Sequence, residues 1–116
     1  MKEGIPHVFG NKTKQVESAI DHKKADKLIA LAKDKDEAVA LAAVKGLGVV
    51  GGEDAINFLV TQLRHIKPEF RAAAATSLGE IGDPHAKAHI SGVLKFEKDT
   101  ATIQAMHAAM AKIADY

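Results

Sequence analysis

The chain has 116 residues, of which 47% are apolar and only 4% aromatic, and its formal net charge is +1. This near balance of charge argues against a general affinity for nucleic acid or for an anionic membrane, which requires a large positive excess. The absence of cysteine excludes disulfides, thiolate chemistry and cysteine-based zinc sites. The N-terminal residues show no apolar core of a signal peptide, so a cytoplasmic location is expected.

The first ten residues, MKEGIPHVFG, contain two glycines and one proline and predict an irregular lead-in. A short first helix is expected to begin with a cap at Asn11 or Thr13, and a second helix to carry the apolar residues between Ala25 and Ala32. Three apolar side chains of the lead-in could fold back over the first helix: Ile5, Val8 and Phe9.

The central part of the chain repeats itself. The segment 39–51 returns 31 residues later as the segment 70–82, with alanines, leucines and glycines at matching positions. Within each copy the apolar residues follow the period of a helix, not the alternation of a strand. A repeat of this length is typical of a solenoid, whose units stack because none can bury its apolar face alone. The sequence therefore predicts an all-α protein, a right-handed α-solenoid of about three and a half helical hairpins.

We expect one domain over residues 1–116. It divides into a degenerate N-terminal repeat at 11–34, full repeats at 35–66 and 67–98, and a C-terminal half repeat at 99–116. In the second helix of the first full repeat, the inward side chains are expected to be Ile56, Leu59, Leu63 and Ile66.

Residue types at the segment boundaries predict where helices begin and end. Acidic residues at 34–37 suit a helix start, where free N–H groups and the positive end of the dipole favour an anion. Pro68 is expected at a first helical position, and Asp83 at an N-cap. Gly51 and Gly82 are expected to end their helices, because glycine adopts the left-handed conformation at low cost.

Two further glycines, Gly48 and Gly79, recur inside the last turns of their predicted helices. Glycine there costs about 1 kcal/mol relative to alanine. Their recurrence indicates that another backbone passes too close for a Cβ atom, and the alternative is an early end of each helix.

The segments LAAVKGLGVVGGEDA and AAAATSLGEIGDPHA resemble the short HEAT-like repeats seen in phycobilin lyase subunits. The Ala-Ala, Leu-Gly and Ile-Gly-Asp-Pro patterns carry this resemblance over residues 36–97, and Arg71 and Asp83 match two characteristic positions. The other full unit departs there, with Ala40 and Gly52. The resemblance implies a binding scaffold, and for Arg71 a structural role through backbone carbonyls or Asp83, but the fold serves many partners.

In such a stack the second helices are expected to line the concave face. Lys33, Arg64 and Lys95 recur there once per unit, 31 residues apart, beside a column of small residues that includes Thr61 and Gly92. The candidate partner-binding residues are Lys33, Arg64, Lys95, Thr61 and Asn57. They would form a groove for an acidic peptide or helix. The alternative is a solvated face whose cations complement the helix dipoles.

His85 and His89 lie four residues apart on a predicted helix and form a weak candidate metal pair, but no third ligand is evident. The HEAT-like fold also includes the di-iron enzyme deoxyhypusine hydroxylase, which uses His-Glu pairs, and no histidine here is followed by glutamate. We therefore expect no metal, no cofactor and no enzymatic activity. The expected function is a protein–protein interaction scaffold, and the alternative is an accessory subunit of a lyase-like enzyme that holds a small ligand between repeats.

The final helix begins at Asp99 or Thr100 and has one inward apolar stripe: Ile103, Met106, Met110 and Ile113. Its far side is expected to carry small residues: Ala101, Ala105, Ala108 and Ala109. Such a helix is either an alanine-rich cap on a monomer or the contact through which two copies form a homodimer.

Overall fold

The structure is a computed structural model that describes the backbone of residues 6–113 and the side chains of residues 12–113. Across residues 6–113 the chain forms seven α-helices and no β-strand, which confirms the predicted all-α class. None of these helices is both long and apolar enough to cross a membrane. The helices are α1 (Pro6–Asp21), α2 (Ala25–Leu31), α3 (Glu37–Val50), α4 (Glu53–Gln62), α5 (Pro68–Ile81), α6 (Pro84–Leu94) and α7 (Thr100–Lys112).

The helices alternate between two layers. α1, α3, α5 and α7 pack side by side in the first layer, while α2, α4 and α6 form the second layer. Neighbours in the first layer contact each other far more extensively than neighbours in the second layer. The stack extends 51 × 29 × 18 Å along its principal axes, as an α-solenoid of short helices does. Its handedness, its division into three and a half hairpins and the concave placement of the second helices stay predictions.

Equivalent positions of the repeat have equivalent environments. Leu28, Leu59 and Ile90 occupy the same position in α2, α4 and α6, and all three are fully buried. Leu47 and Leu78 are fully buried at matching positions of α3 and α5. Burial of each such side chain contributes about 2 kcal/mol, so the 31-residue pattern builds one core through both layers.

The predicted helix boundaries from residue 34 onward are mostly confirmed. Asp36 caps α3, with its side chain accepting from the Ala38 backbone N–H at 3.0 Å. Gly51 and Gly82 follow α3 and α5 with φ values of 71° and 79°. Asp83 occupies the N-cap position of α6, but its carboxylate makes no cap hydrogen bond. Pro68 is the first residue of α5, as predicted, and Pro84 is the first residue of α6.

The first helix differs from the prediction. α1 begins at Pro6, not at Asn11 or Thr13, so the expected irregular lead-in is wrong for residues 6–10. Proline is favourable at a first helical position because its missing N–H has no helical partner there. The predicted fold-back concerned side chains that lie outside the described ones: Ile5, Val8 and Phe9.

Gly48 and Gly79 mark close contacts in the first layer. A Cβ atom at Gly48 would lie 2.8 Å from the Cα atom of Ser77, and one at Gly79 would lie 2.9 Å from the Cα atom of Ala109. α3 continues to Val50 and α5 to Ile81, so the early helix end is wrong and the close backbone is confirmed. The Ser77 hydroxyl donates to the Val44 carbonyl at 3.0 Å, which satisfies the polar group at this contact.

Two side-chain placements were wrong. Ile66 was expected inward, but α4 ends at Gln62, and Ile66 lies in the α4–α5 connection with 86% of its surface exposed. Ala109 was expected on the far side of α7, but it is buried because α7 approaches Gly79 closely. The predicted inward stripe of α7 is confirmed, with Met106 and Ile113 buried and the other two members half-buried.

Candidate functional site

α4 and α6 stand apart in the second layer and leave a groove at each end of the pair. We name them the C-terminal groove, of about 570 Å³, and the N-terminal groove, of about 650 Å³. The C-terminal groove lies where α4 and α6 end, and it extends onto the α4–α5 and α6–α7 connections. The N-terminal groove lies between the first turns of the same two helices.

Apolar side chains form the walls of the C-terminal groove. Ile66 and Phe96 line it with 86% and 81% of their surfaces exposed, and Val93 is half-buried between α6 and the groove. Gly92 is open on this side, because a Cβ atom added there would meet no atom within 4 Å. The groove therefore offers apolar surface and unfilled space together.

A bidentate ion pair lies along the base of the C-terminal groove. Arg71 of α5 donates to the Glu97 carboxylate from Nε at 2.7 Å and from Nη2 at 2.8 Å. Its Nη1 donates to the carbonyls of His65 and Ile66 at 2.8 and 3.1 Å. The predicted carbonyl partners of Arg71 are thus confirmed, but its carboxylate partner is Glu97 and not Asp83. The reason is that Asp83 starts α6, whereas Arg71 reaches the connection that follows α6.

Glu97 is fully engaged at this position. Its side chain is only 3% exposed, and it also accepts from the backbone N–H groups of Lys98 and Asp99 at 3.2 and 3.1 Å. The guanidinium of Arg71, helped by these N–H groups, holds the pKa of Glu97 below its usual value despite burial, which acts in the opposite direction. Arg71 and Glu97 therefore neutralise each other and fix the two connections that bear the groove walls.

The remaining charges on the groove are positive. Arg64 and Lys98 line it with exposed side chains, and neither forms an ion pair with any residue whose side chain the structure describes. Since the Glu97 oxygens are already committed, they do not offset these cations. The C-terminal groove thus combines apolar walls with two free positive charges.

The predicted basic ladder lies where the second-layer helices end. Lys33 follows the C-cap of α2, Arg64 follows the C-cap of α4, and Lys95 is itself the C-cap of α6. All three side chains are exposed, and the Lys33 ammonium lies 5.8 Å from the centre of the Phe58 ring. Cations at these ends also complement the negative ends of the helix dipoles, as the alternative interpretation requires.

Neither of the other two predicted site residues lines the C-terminal groove. The Thr61 hydroxyl donates to the Phe58 carbonyl at 2.6 Å, within its own helix. Asn57 is exposed and lines the N-terminal groove, together with His85 and His89. Among the side chains that the structure describes, no three His, Asp or Glu residues lie close enough together to hold a metal ion.

Ile66 and Phe96 were not identified as site residues from the sequence. For Ile66, the sequence signal of a position outside a helix is Pro68. The residue before a proline disfavours the helical conformation, so the preceding helix ends upstream of it. The signal for Phe96 was its repeat partner: 31 residues earlier stands His65, just beyond the end of α4. Both positions lie after a helix end, where the helical period no longer predicts burial.

Comparison with known families gives one match. The family model described as HEAT repeats matches residues 25–111, which is most of the chain and includes α2 to α6 in full. A search of curated proteins found no match. The likeness to phycobilin lyase subunits therefore rests on the sequence pattern alone. HEAT repeats are typically non-catalytic and commonly mediate protein–protein interaction. The repeat pattern, the two-layered stack of helices and the family match together establish that this chain belongs to the HEAT repeat family.

Proposed function

We propose that this protein is a non-catalytic scaffold that binds another protein through the second-layer face. The observation that carries the proposal is the recurrence of an exposed cation at the end of α2, α4 and α6, one of which, Arg64, lines the open C-terminal groove. Lys33, Arg64 and Lys95 are the proposed contact residues, together with Thr61 and Asn57 of α4.

The charge of this row favours an acidic partner. None of the three cations forms an ion pair with a carboxylate among the side chains the structure describes, so a partner would not have to displace an internal one. Complementary charges of this kind raise the association rate and select the partner more than they raise affinity. We infer a protein or peptide with Asp and Glu residues as the binding partner.

The alternative, a lyase-like accessory subunit that holds a small ligand, needs a deep pocket with converging polar groups. Instead, the walls of the C-terminal groove carry Ile66 and Phe96 with most of their surfaces in solvent. An open groove with apolar walls favours an extended partner over an enclosed small molecule.

Charge reversal tests the proposal. The triple variant Lys33→Glu, Arg64→Glu, Lys95→Glu should lose the partner that the wild-type protein captures by affinity purification from its native cell. The matched control reverses three exposed lysines that lie outside α2, α4 and α6: Lys14, Lys23 and Lys45. If the same partner stays bound to the first triple variant, the proposed function is wrong.

We also propose that α7 acts as a cap and that the protein is a monomer. Counted from the N-cap of each helix, the eighth position is Val44 in α3, Ala75 in α5 and His107 in α7, and the twelfth is Gly48, Gly79 and Ala111. These positions are buried in α3 and α5 but exposed in α7. An exposed histidine and a Cβ atom at the close-contact position both disfavour a further first-layer helix. Light scattering at high micromolar concentration should give the monomer mass, and a dimer mass would show that α7 pairs instead.

A further inference from the structure

We propose that the C-terminal groove binds a short segment of another protein in which a large apolar side chain is flanked by Asp or Glu. The apolar side chain would lie between Ile66 and Phe96, and the carboxylates would face Arg64 and Lys98. This inference rests on the proposed function and names the chemistry of the segment that the scaffold binds.

The first argument is the position of the exposed apolar residues. Among the side chains that the structure describes, three large apolar ones are strongly exposed: Val49, Ile66 and Phe96. Single exposed apolar residues are common and need no explanation, whereas a cluster indicates an interaction site. Ile66 and Phe96 come from different connections and line the same groove, while Val49 lies apart on α3.

The second argument is the size of the groove. The groove has a volume of about 570 Å³, which is within the roughly 300–1,000 Å³ of clefts that hold a drug-sized ligand. Gly92 contributes to this space because its helix has no side chain at that point. The groove therefore has room for one or two side chains of a segment, and not for the surface of a folded domain.

The third argument is charge. The carboxylate of Glu97 already accepts from Arg71 and from two backbone N–H groups, so it does not neutralise the rim. Arg64 and Lys98 are exposed on the same groove. A segment with carboxylates next to its apolar residue complements this rim, and a basic segment would be repelled.

The fourth argument is that the walls are held in place before binding. Arg71 bonds the α4–α5 connection through the His65 and Ile66 carbonyls and the α6–α7 connection through Glu97. Ile66 and Phe96 flank these fixed points. A partner segment would therefore not have to order the groove, which lowers the entropic cost of binding.

A randomised peptide library displayed on phage tests the chemistry of the segment. Selection against the full chain should enrich peptides with a large apolar residue and at least one Asp or Glu within one helical turn of it. Enrichment of basic peptides, or no enrichment above the unselected library, would overturn the inference.

The affinity of protein variants for a synthetic peptide from the most enriched clone is measured by fluorescence anisotropy. Ile66→Ser, Phe96→Ser and the groove-filling Gly92→Met should each weaken binding by about tenfold or more. Val49→Ser is the matched control, as a similarly exposed apolar residue away from the groove, and should bind like the wild type.

Lys98→Glu should weaken binding and reduce its dependence on salt, and Lys45→Glu is its control. Unchanged affinity in Phe96→Ser and Gly92→Met would refute the groove as the site.

Two further comparisons separate this inference from other outcomes. Flotation with phosphatidylcholine vesicles, with and without phosphatidylserine, should show no binding, and binding lost in Phe96→Ser would assign the groove to membranes instead. If the triple charge reversal releases the native partner but Phe96→Ser and Gly92→Met do not, the groove inference fails and the proposed function stands. Circular dichroism of each variant should match the wild type, because the substituted positions are exposed or open.

Discussion

Gly79 in the first layer and Gly92 in the second layer lie in consecutive helices of one hairpin, but their surroundings are opposite. A Cβ atom at Gly79 would lie 2.9 Å from the Cα atom of Ala109, whereas one at Gly92 would meet nothing within 4 Å. In the first layer, glycine allows two backbones to approach. In the second layer, glycine leaves space beside exposed apolar walls. The layers therefore divide two tasks, since the first fixes the spacing of the repeats and the second keeps a surface available.

Substitution of Arg71 affects both layers, because its side chain joins α5 of the first layer to the connection that follows α6 of the second layer. Arg71→Ala should leave the Glu97 carboxylate buried without its cation, which costs about 3 kcal/mol of the free energy of unfolding. Urea denaturation measures this loss. The double variant Arg71→Leu, Glu97→Leu removes both charges and should recover much of it. A loss below about 1 kcal/mol in Arg71→Ala would show that the pair is no more than a surface ion pair.

Acid should remove the same contribution in the wild type. The folded-state pKa of Glu97 lies below its ordinary value of 4.5, so its stabilising effect is complete above that pH and is lost as pH falls through the lowered pKa. The stability difference between the wild type and Arg71→Leu, Glu97→Leu should thus shift against the wild type as the pH falls below 4.5. Urea midpoints measured across that range test it. A difference that stays constant would contradict the assigned shift.

The comparison of the two glycines is tested directly by Gly79→Ala. The added methyl group meets the Ala109 backbone, and overpacking of this kind costs about 2–3 kcal/mol, against a gain of up to about 1 kcal/mol in helix propensity. We expect a net destabilisation of about 1–2 kcal/mol by urea denaturation. A neutral or stabilising effect would mean that α5 and α7 separate without cost, and the first layer would not be the fixed one.

Gly92→Ala is the counterpart and should have the opposite sign. Its methyl group enters open space, so the fold should gain about 1 kcal/mol from helix propensity alone. The same denaturation experiment measures it, with Gly79→Ala as the paired comparison. Destabilisation by Gly92→Ala would show that the second layer is also closely packed at this position.

The fold was predictable because its signal is repeated, and much of the site was not because it lies where the repeat breaks. Leu28, Leu59 and Ile90 share one helical position, and burial follows from that position. Ile66 belongs to a connection, where the helical period no longer applies, so its exposure could not be read from the same pattern. The pairing of Arg71 with Glu97 joins residues 26 apart, and several carboxylates were equally available to a sequence argument.

The contacts at Gly48 and Gly79 also determine how such a stack can deform. Backbones that touch through glycine cannot move closer, since protein interiors resist compression. When the stack bends, the spacing of the first-layer helices must therefore stay fixed, and the gap between α4 and α6 in the second layer must widen or narrow. A segment wedged into the C-terminal groove would act on the curvature of the whole solenoid as well as on its own site.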